Sequence, residues 1–567
     1  MRTVGILTNG GDTCALNASI KSIRDNVYRA GYKKIYGIRR GYQGLIDGSI
    51  DDITHREIDV RIGGSCLGSL RTSPTDWVSE EKRHKISEER CLQMAECLSD
   101  YNIDVLVVIG GDGTLQSTRS FQTWVRQKHE EGGFREFEII GFPKTIDNDI
   151  QTFTNFEGIP ISLCPGFPSA VKKIVSCIED LRVTVRTAER AFTVETMGRD
   201  AGWLAAAASF GGAEIVVLPE HVAIYGRKKD LNRQQSRESL EVSRRLMLDL
   251  TDQIEYFYRN NRNVLIAVGE GFDPCVKIKE YQDYKTLIEG LYGSRKKVGA
   301  NELVAMLVSP ALRYYFWCLS QLCGHKRKPD HVRANINKII QISEKAASPE
   351  VRNLFGEYEK KVKRGDDHPL HEWIIRDHLL KALGVSAGDH GPSERSCDGS
   401  GNPCAHPGGS GNGAGDESEG SENGGASGPE EVRSPLTVPP YKFEIRPHRT
   451  DYLPRSGPPS SYDYKLATVL GQKVGEMVLD ENRSFGAVPT LEQVVPYDQL
   501  SLDVVKTVQI NEIETLRFEN LKYFLDEEKL FQVSPRITNF FRTIMSGPES
   551  LDDAIEQTPT VRDESRK

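Results

Sequence analysis

Residues 141–150 read GFPKTIDNDI, which gathers Lys144, Thr145, Asp147 and Asp149 directly after the β-rich run EFEIIGF. One carboxylate of such a cluster can take the proton of a hydroxyl that attacks phosphorus, while a lysine ammonium and a threonine hydroxyl offset charge on the equatorial oxygens. The same Asp147, Asn148 and Asp149 also suit a plainer task, capping a helix and fixing a turn. On this segment alone both readings stay open.

Three further turns offer parts of a phosphate site. VVIGGDGTLQS places Gly110, Gly111, Asp112, Gly113 and Thr114 after a buried-strand pattern. Glycine lets backbone amides approach phosphate oxygens, Gly113 leaves room for a bulky group, and Asp112 can hold Mg2+ against a polyphosphate. An aspartate helix cap is the alternative there. LTNGGDTCALNASI carries Gly10 and Gly11 before a helical stretch, and GGSCLGSLRTSP puts Arg71 after a flexible turn. Arg71 can reach a terminal phosphate from there or simply lie on the surface. No P-loop, no GxGxxG after a strand and no protein-kinase signature set occurs, so a donor site of another type is expected.

Such turns need strand ends to hold them. TVGILT, KKIYGI, DVLVVIGG and FEIIGF alternate with the helical stretches NASIKSIRDNVYRAG and SEERCLQMAECLSDYN. That alternation predicts a parallel sheet covered by helices, in which ligand loops lie beyond the strand C-termini. AFTVETMG, GWLAAAAS, GAEIVVLPE and NVLIAVGEG predict a second α/β unit. From about 276 to 385 the chain is charged and helix-patterned, and 386–435 is a Gly, Ser, Asp and Glu tract expected to be disordered. Order returns at LTVPPYKFEIRPHRTDYLPRSG and the helix SYDYKLATVLGQKVGEMVL, followed by short helical patterns and Pro-bearing loops.

Composition narrows the class. A chain of 567 residues can hold two or three domains, and its net charge of −8 gives no basic footprint for nucleic acid. Any anion site must be built locally. The opening MRTVGILTNGG has no signal-peptide pattern, so a cytoplasmic location is expected. The eleven cysteines form no even framework and read as reduced thiols, and Cys397, Cys404 and His406 lack zinc-finger spacing. Leu303–Leu322 is apolar but interrupted by Pro310 and Arg313, which points to a buried or partner-facing helix rather than a membrane span.

Taken together, LTNGGDTCALNASI, GSLRTSP, VVIGGDGT, PKTIDND, VETMGRDAGWLA and VGEGF stand in the order and approximate spacing of the phosphofructokinase family. RPHRTDYLPRSGPPSSYDYKLAT resembles that family's last substrate motif, so the resemblance covers residues 1 to about 272 and about 436 to 485. It implies two Rossmann-like α/β domains with parallel-sheet cores and Mg2+-assisted phosphoryl transfer to the 1-hydroxyl of fructose 6-phosphate. Asp147 matches the catalytic base, Thr145 a contact to the transferring phosphoryl, and Arg199 a group beside it. Gly11, Arg71, Gly111, Asp112, Gly113, Thr114 and Lys144 match donor-binding positions, with Asp112 the metal-linked residue. Thr145, Asp147, Asp149, Met197, Gly198, Arg199 and Glu270 match substrate contacts. Arg190 and Arg446 match a pair that reaches the sugar phosphate from a neighbouring subunit, while Tyr452 and Arg455 complete the pocket within the same chain. A homodimer or homotetramer with shared active sites is thereby implied, acting in glycolysis with no nucleic-acid or membrane partner.

The resemblance and the changes of texture along the chain together set expected boundaries: a donor domain at 1–142, a sugar-phosphate domain at 143–275 and a helical insertion at 276–385, the insertion, the acidic tract and the long C-terminus having no counterpart in the family pattern. A linker at 386–435, a return of the second domain with closing helices at 436–500 and a C-terminal extension at 501–567 complete it. Cys14 and Ala15 stand where many members have Pro and Gly, and YLPR replaces a bacterial pattern with histidine and glutamine before the arginine. Lys21 and Asp25 match the bacterial effector pocket only partly, so nucleotide feedback of that kind is not expected.

Two residues bear on the donor. In this family an aspartate at position 113 fills the space of the nucleotide α-phosphate and accompanies pyrophosphate use, so Gly113 points to ATP. Lys144 occurs in pyrophosphate-dependent members but also in ATP-dependent members of this pattern, and steric exclusion by a carboxylate should outweigh one flexible cation. ATP is the expected donor and pyrophosphate the alternative. NAD and lipid kinases share a GGDGT loop but need neither PKTIDND nor VETMGR. A non-catalytic regulatory subunit is the remaining rival, opposed by retention of Asp112, Thr145, Asp147 and Arg199.

Overall fold

The structure is a computed structural model that describes residues 2–78, 83–135, 137–221, 263–272, 445–480, 486–513 and 531–558, with isolated positions between 250 and 261 and at 525 and 526. The expected helical insertion, the acidic linker, the Leu303–Leu322 stretch and Cys397, Cys404 and His406 lie outside the described residues.

The elements in chain order begin with β1 (Thr3–Asn9), α1 (Leu16–Arg29), β2 (Lys34–Ile38), α2 (Tyr42–Asp47) and β3 (Ile50–Asp52). There follow β4 (Thr75–Val78), β5 (Arg83–Ile86), α3 (Glu88–Asp100), β6 (Val105–Gly110), α4 (Asp112–Glu130) and β7 (Glu138–Pro143). The five-stranded sheet runs β3-β2-β1-β6-β7, parallel except for its edge pair β2–β3. Every residue of β1 and β6 is buried, as continuous apolar runs in a doubly covered parallel sheet require.

Next come β8 (Thr154–Phe156), β9 (Ile159–Ile161), α5 (Phe167–Thr187), β10 (Ala191–Thr196), α6 (Trp203–Ala207), β11 (Ile215–Val217), β12 (Val264–Gly269) and β13 (Ile445–Arg449). Strands β11-β12-β10-β13 form a second, wholly parallel sheet. Thus a strand from beyond residue 440 lies beside β10.

The rest of that return is divided. Helix α7 (Ser461–Met477) packs mainly along α1, which lies on the first sheet, and also meets α5. Its Gly471 and Gly475 make the close approach possible, since a Cβ there would stand 2.4 Å from Ser22 Oγ and 2.7 Å from Asn26 Cβ. Ser22 Oγ donates to the Thr468 carbonyl (2.8 Å) and Tyr32 OH to that of Val478 (3.2 Å) across the same seam. Beyond it, β14 (Ala487–Leu491) and β15 (Val505–Gln509) form an antiparallel hairpin, and α8 (Pro535–Ile544) and α9 (Leu551–Gln557) follow. The expectation of helices and loops here missed the hairpin because Pro489 sits inside β14, where proline usually argues against a strand.

The main core lies between α1, α5, α7 and α8, with Phe167, Trp203, Phe540 and Phe541 in ring contact. A second cluster fills the other face of the first sheet around Phe121, Trp124 and Phe137. Among the described residues no helix is long and apolar enough to cross a membrane.

Candidate active site

Parallel pairing brings the C-terminal ends of β1, β6 and β7 side by side, so the turns after Asn9, Gly110 and Pro143 meet at one edge. Lys144 N donates to Gly110 O (3.0 Å), and Gly10 N donates to Leu70 O (2.8 Å) while Ser69 Oγ donates to Gly10 O (2.7 Å). These bonds stitch the segment that carries the exposed Arg71 to the first glycine turn.

Asp112 is the first residue of α4 and accepts from Gln116 Nε2 (2.8 Å). A Cβ at Gly113 would have nothing within 4 Å, whereas the Thr114 hydroxyl is engaged by Asn9, donating to its carbonyl (3.4 Å) and accepting from Nδ2 (3.3 Å). Thr114 thus anchors the turn to β1. Lys144 is buried, and its Nζ donates to the Gly11 carbonyl. Burial, and then the nearby Arg455 charge, lower its pKa to about 8.

The carboxylates follow. Thr145 N donates to Pro165 O (3.2 Å), while its hydroxyl donates to Asp149 Oδ1 and accepts from Asp147 N, both at 3.0 Å. Asn148 takes a left-handed φ of 53° and donates from Nδ2 to Ser162 O (2.7 Å). Asp147 is buried, Oδ1 has no protein partner, and Oδ2 lies 3.4 Å from Arg199 Nε. Burial pushes its carboxyl above the ordinary value, opposed by the charges of Arg199 and Arg455. Asp149 is raised to about 6 by burial and by the charges of Asp147 and Asp112. Asp147 is buried and Asp149 half-buried, and burial together with neighbouring negative charge holds both carboxyls above the ordinary range.

Arg199 is aimed by the end of the second sheet. Gly198 N (3.2 Å) and Arg199 N (2.7 Å) both donate to Glu270 Oε1, just after β12. Gly198 has φ 136°, and a Cβ there would stand 2.5 Å from the Ala201 carbonyl, so this turn demands glycine. Arg199 itself is left-handed at φ 50°, a conformation that costs a non-glycine residue about 1 kcal/mol or more and recurs at functional sites. Met197, half-buried, packs on the main core.

The last motif closes over the first. Arg455 is buried against Gly11, where a Cβ would lie 2.4 Å from its Nη1, and that nitrogen is 3.5 Å from Asp12 Oδ1. Arg455 Nε has no protein partner. Cys14 donates its thiol to the Ser456 carbonyl (3.2 Å), and burial pushes its pKa up to about 12, so it stays neutral. Its place beneath that loop could not be read from the sequence. Tyr452 is 72% exposed beside it.

Arg190 and Arg446 stand elsewhere. Arg190 precedes Ala191 and Arg446 pairs in register with Phe192, at the opposite end of β10 from the turn carrying Arg199. Six residues of strand separate the ends, about 20 Å at ~3.3 Å per residue. Lys21 and Asp25 face each other, Nζ 2.6 Å from Oδ2.

Sequence reasoning did not find Glu220. This buried carboxylate accepts from Gly202 N (2.8 Å), leaves Oε2 without a partner, and is raised to about 7 by burial. It braces the turn after Arg199. Its only local signal was a glutamate ending an apolar strand. Among the described residues no group of three or more His, Cys, Asp or Glu side chains could hold a metal. Mg2+ held by one carboxylate and by substrate phosphates needs no such cage, and Asp112 offers the hard oxygen ligand that such binding uses.

A family model described as Phosphofructokinase matches residues 3–294. A protein of Oceanobacillus iheyensis named ATP-dependent 6-phosphofructokinase is 37% identical over 225 residues, 39% of this chain and 60% of that protein. One of Aquifex aeolicus with the same name is 31% identical over 284 residues, 50% of this chain and 72% of its own. The chain therefore spans about 60% of the first relative's length. The solved pyrophosphate-dependent phosphofructokinase of Nitrosospira multiformis superposes with a TM-score of 0.53 at 14% identity, over 99% of this chain and 94% of that one. At that identity the likeness shows the fold.

Proposed function

The chain belongs to the phosphofructokinase family, and on that premise we propose that it transfers the terminal phosphoryl group of ATP to the 1-hydroxyl of fructose 6-phosphate. The observation that carries the reading is Asp147: a buried carboxylate with one unpartnered oxygen, its other oxygen facing Arg199, on a loop pinned by the Thr145 hydroxyl. Asp147 accepts the proton of the sugar 1-hydroxyl as its oxygen bonds to phosphorus and the bond to the leaving diphosphate breaks. Arg199 and the Thr145 hydroxyl offset charge on the transferring group.

Donor phosphates are received by the turns at Gly11, Arg71, Gly111–Thr114 and Lys144. Bound Mg2+ supplies charge neutralisation on the donor phosphates, with Asp112 as its protein ligand. Gly198, Arg199 and Glu270 shape the sugar pocket with Met197, Asp149, Tyr452 and Arg455. The distance between Arg199 and the Arg190–Arg446 end of β10 supports delivery of those two arginines to a neighbouring copy's site. A homodimer or homotetramer with shared sites follows, in the cytoplasm.

One observation favours pyrophosphate as an alternative donor: buried Lys144 places an ammonium against Gly11 in the donor loop. The open space at Gly113, which leaves room for a nucleotide α-phosphate, favours ATP. A coupled assay with fructose 6-phosphate and Mg2+, comparing ATP and pyrophosphate at equal concentration, separates them. Faster turnover with pyrophosphate overturns the donor assignment, and none with either favours a regulatory subunit.

A further inference from the structure

Asp463 takes no part in the chemistry above, yet its buried carboxylate lies where the two segments that chemistry depends on are joined. Resting on the phosphoryl-transfer reading, we infer that Asp463 is a positioning residue: it holds the Thr145–Asp149 loop and the Arg455 loop at a fixed spacing across the N-terminus of α5.

The connections run both ways from one side chain. Toward the reactive loop, Asp463 accepts from Gly166 N (Oδ1 2.8 Å, Oδ2 3.1 Å) and from Ser169 N (3.3 Å) and Oγ. Gly166 forms a parallel bridge with Thr145, whose N–H donates to Pro165 O (3.2 Å). Thr145 in turn holds the Asp149 carboxylate and the Asp147 backbone amide through its hydroxyl. Gly166 has little freedom to shift, since at φ 104° a Cβ would meet the Thr13 side chain at 2.7 Å.

Toward the sugar-phosphate loop, Ser460 N donates to Ser169 Oγ (2.9 Å), and Asp463 N donates to Ser460 Oγ (3.3 Å). Ser460 ends the segment that begins with the short helical turn Leu453–Arg455, which packs on α5. The Ser169 hydroxyl is therefore one node serving both directions, oriented by Asp463. A carboxylate with no task beyond capping α5 would need the Gly166 and Ser169 amides alone. The bond from Ser460 through the shared hydroxyl sets the arrangement apart, because it makes the placement of Arg455 depend on the group that holds Thr145.

The test compares the full-length wild-type chain with Asp463→Asn and Ser169→Ala, reading kcat, both KM values, melting temperature and amide hydrogen exchange without substrates. Asn keeps the shape but puts an N–H2 donor against Ser169, and Ala removes the shared node. The expected result is a kcat lowered by roughly 10- to 100-fold in Asp463→Asn, since misplacement of about 1 Å costs on that order. KM for fructose 6-phosphate should rise and KM for ATP stay within about twofold, while residues 141–150 and 453–461 exchange faster together. A variant that melts lower but keeps kcat and both KM values within about twofold of wild type shows a cap and overturns the inference. Ser169→Ala carries the test should Asp463→Asn not fold. Should the wild type turn over neither donor, the functional reading fails and exchange alone decides: faster exchange in both segments supports the coupling, and change confined to α5 or absent overturns it.

Discussion

Arg199 Nε lies 3.4 Å from Asp147 Oδ2, joining an arginine whose side chain is 57% exposed to a carboxylate that is 5% exposed. One charge faces the opening and the other is sunk behind it. The guanidinium opposes the rise that burial imposes on the Asp147 carboxyl, and it stands where an incoming phosphoryl group would meet a cation.

Arg199→Ala is expected to fold and to lose turnover by roughly 10²- to 10³-fold, the range seen when one transition-state donor is removed. The acidic limb of its pH–kcat/KM profile should also move to higher pH, because the charge that favours ionised Asp147 is gone. Steady-state kinetics across pH 5–9 (about that range, spanning the raised carboxyls) checks both; an unmoved limb with full activity would show that the pair has no role in transfer.

Gly113 separates space from chemistry. Gly113→Ala should leave stability unchanged or raised by about 0.4–1 kcal/mol, since its Cβ meets nothing within 4 Å and an alanine suits the first turn of α4. Gly113→Asp should raise KM for ATP by at least about tenfold through lost space and charge repulsion, at no cost to pyrophosphate use. Thermal melts and donor titrations measure the two, and equal ATP affinity in Gly113→Asp would contradict the assignment.

Glu220 ties stability to pH. Its folded pKa of about 7 stands above the ordinary 4.5, so the folded chain holds a proton that the unfolded chain has released across that window. Stability therefore falls as pH rises from about 4.5 to about 7, with this group's share on the order of 1–3 kcal/mol. Glu220→Gln keeps an acceptor for Gly202 N and removes the titration. Its melting temperature should drop less than that of the wild type between pH 5 and pH 8 (roughly either side of the window); parallel curves would exclude this carboxyl as the source.

The proposed sharing of sites between subunits makes a mixing experiment decisive for assembly. Asp147→Asn and Arg446→Ala chains, each nearly inactive, should regain activity well above either parent when dissociated and reassembled together. Some hybrid sites then combine an intact Asp147 with an intact Arg446 from the neighbour. Activity that stays at the parental level would show that Arg446 does not act in the neighbour's site.

The meeting of the three turns at the candidate site could be read from local pattern, for a physical reason. In a parallel sheet the turns after strands converge at one edge, so GGD, GGDGT and PKTIDND, each behind an apolar run, had to meet. Long-range partners left no such trace. Nothing in SYDYKLATVLGQKVGEM says that its Gly471 and Gly475 seat on Ser22 and Asn26, because a small residue in a helix marks close approach without naming the neighbour. Nor did the sequence reveal that Cys14, where proline is common, lies beneath Ser456, or that Asp463 holds the start of α5. Those are tertiary pairings between segments more than 290 positions apart.

The most direct test of the account is kcat for fructose 6-phosphate with Mg2+-ATP in the wild type and in Asp147→Asn, with melting temperatures alongside. Asn keeps the size of the side chain and its contact to Arg199 but is a far weaker base. The expected result is measurable ATP-dependent turnover in the wild type and a loss of roughly 10²- to 10⁴-fold in a variant that still folds. A folded Asp147→Asn chain with near-normal turnover would contradict it.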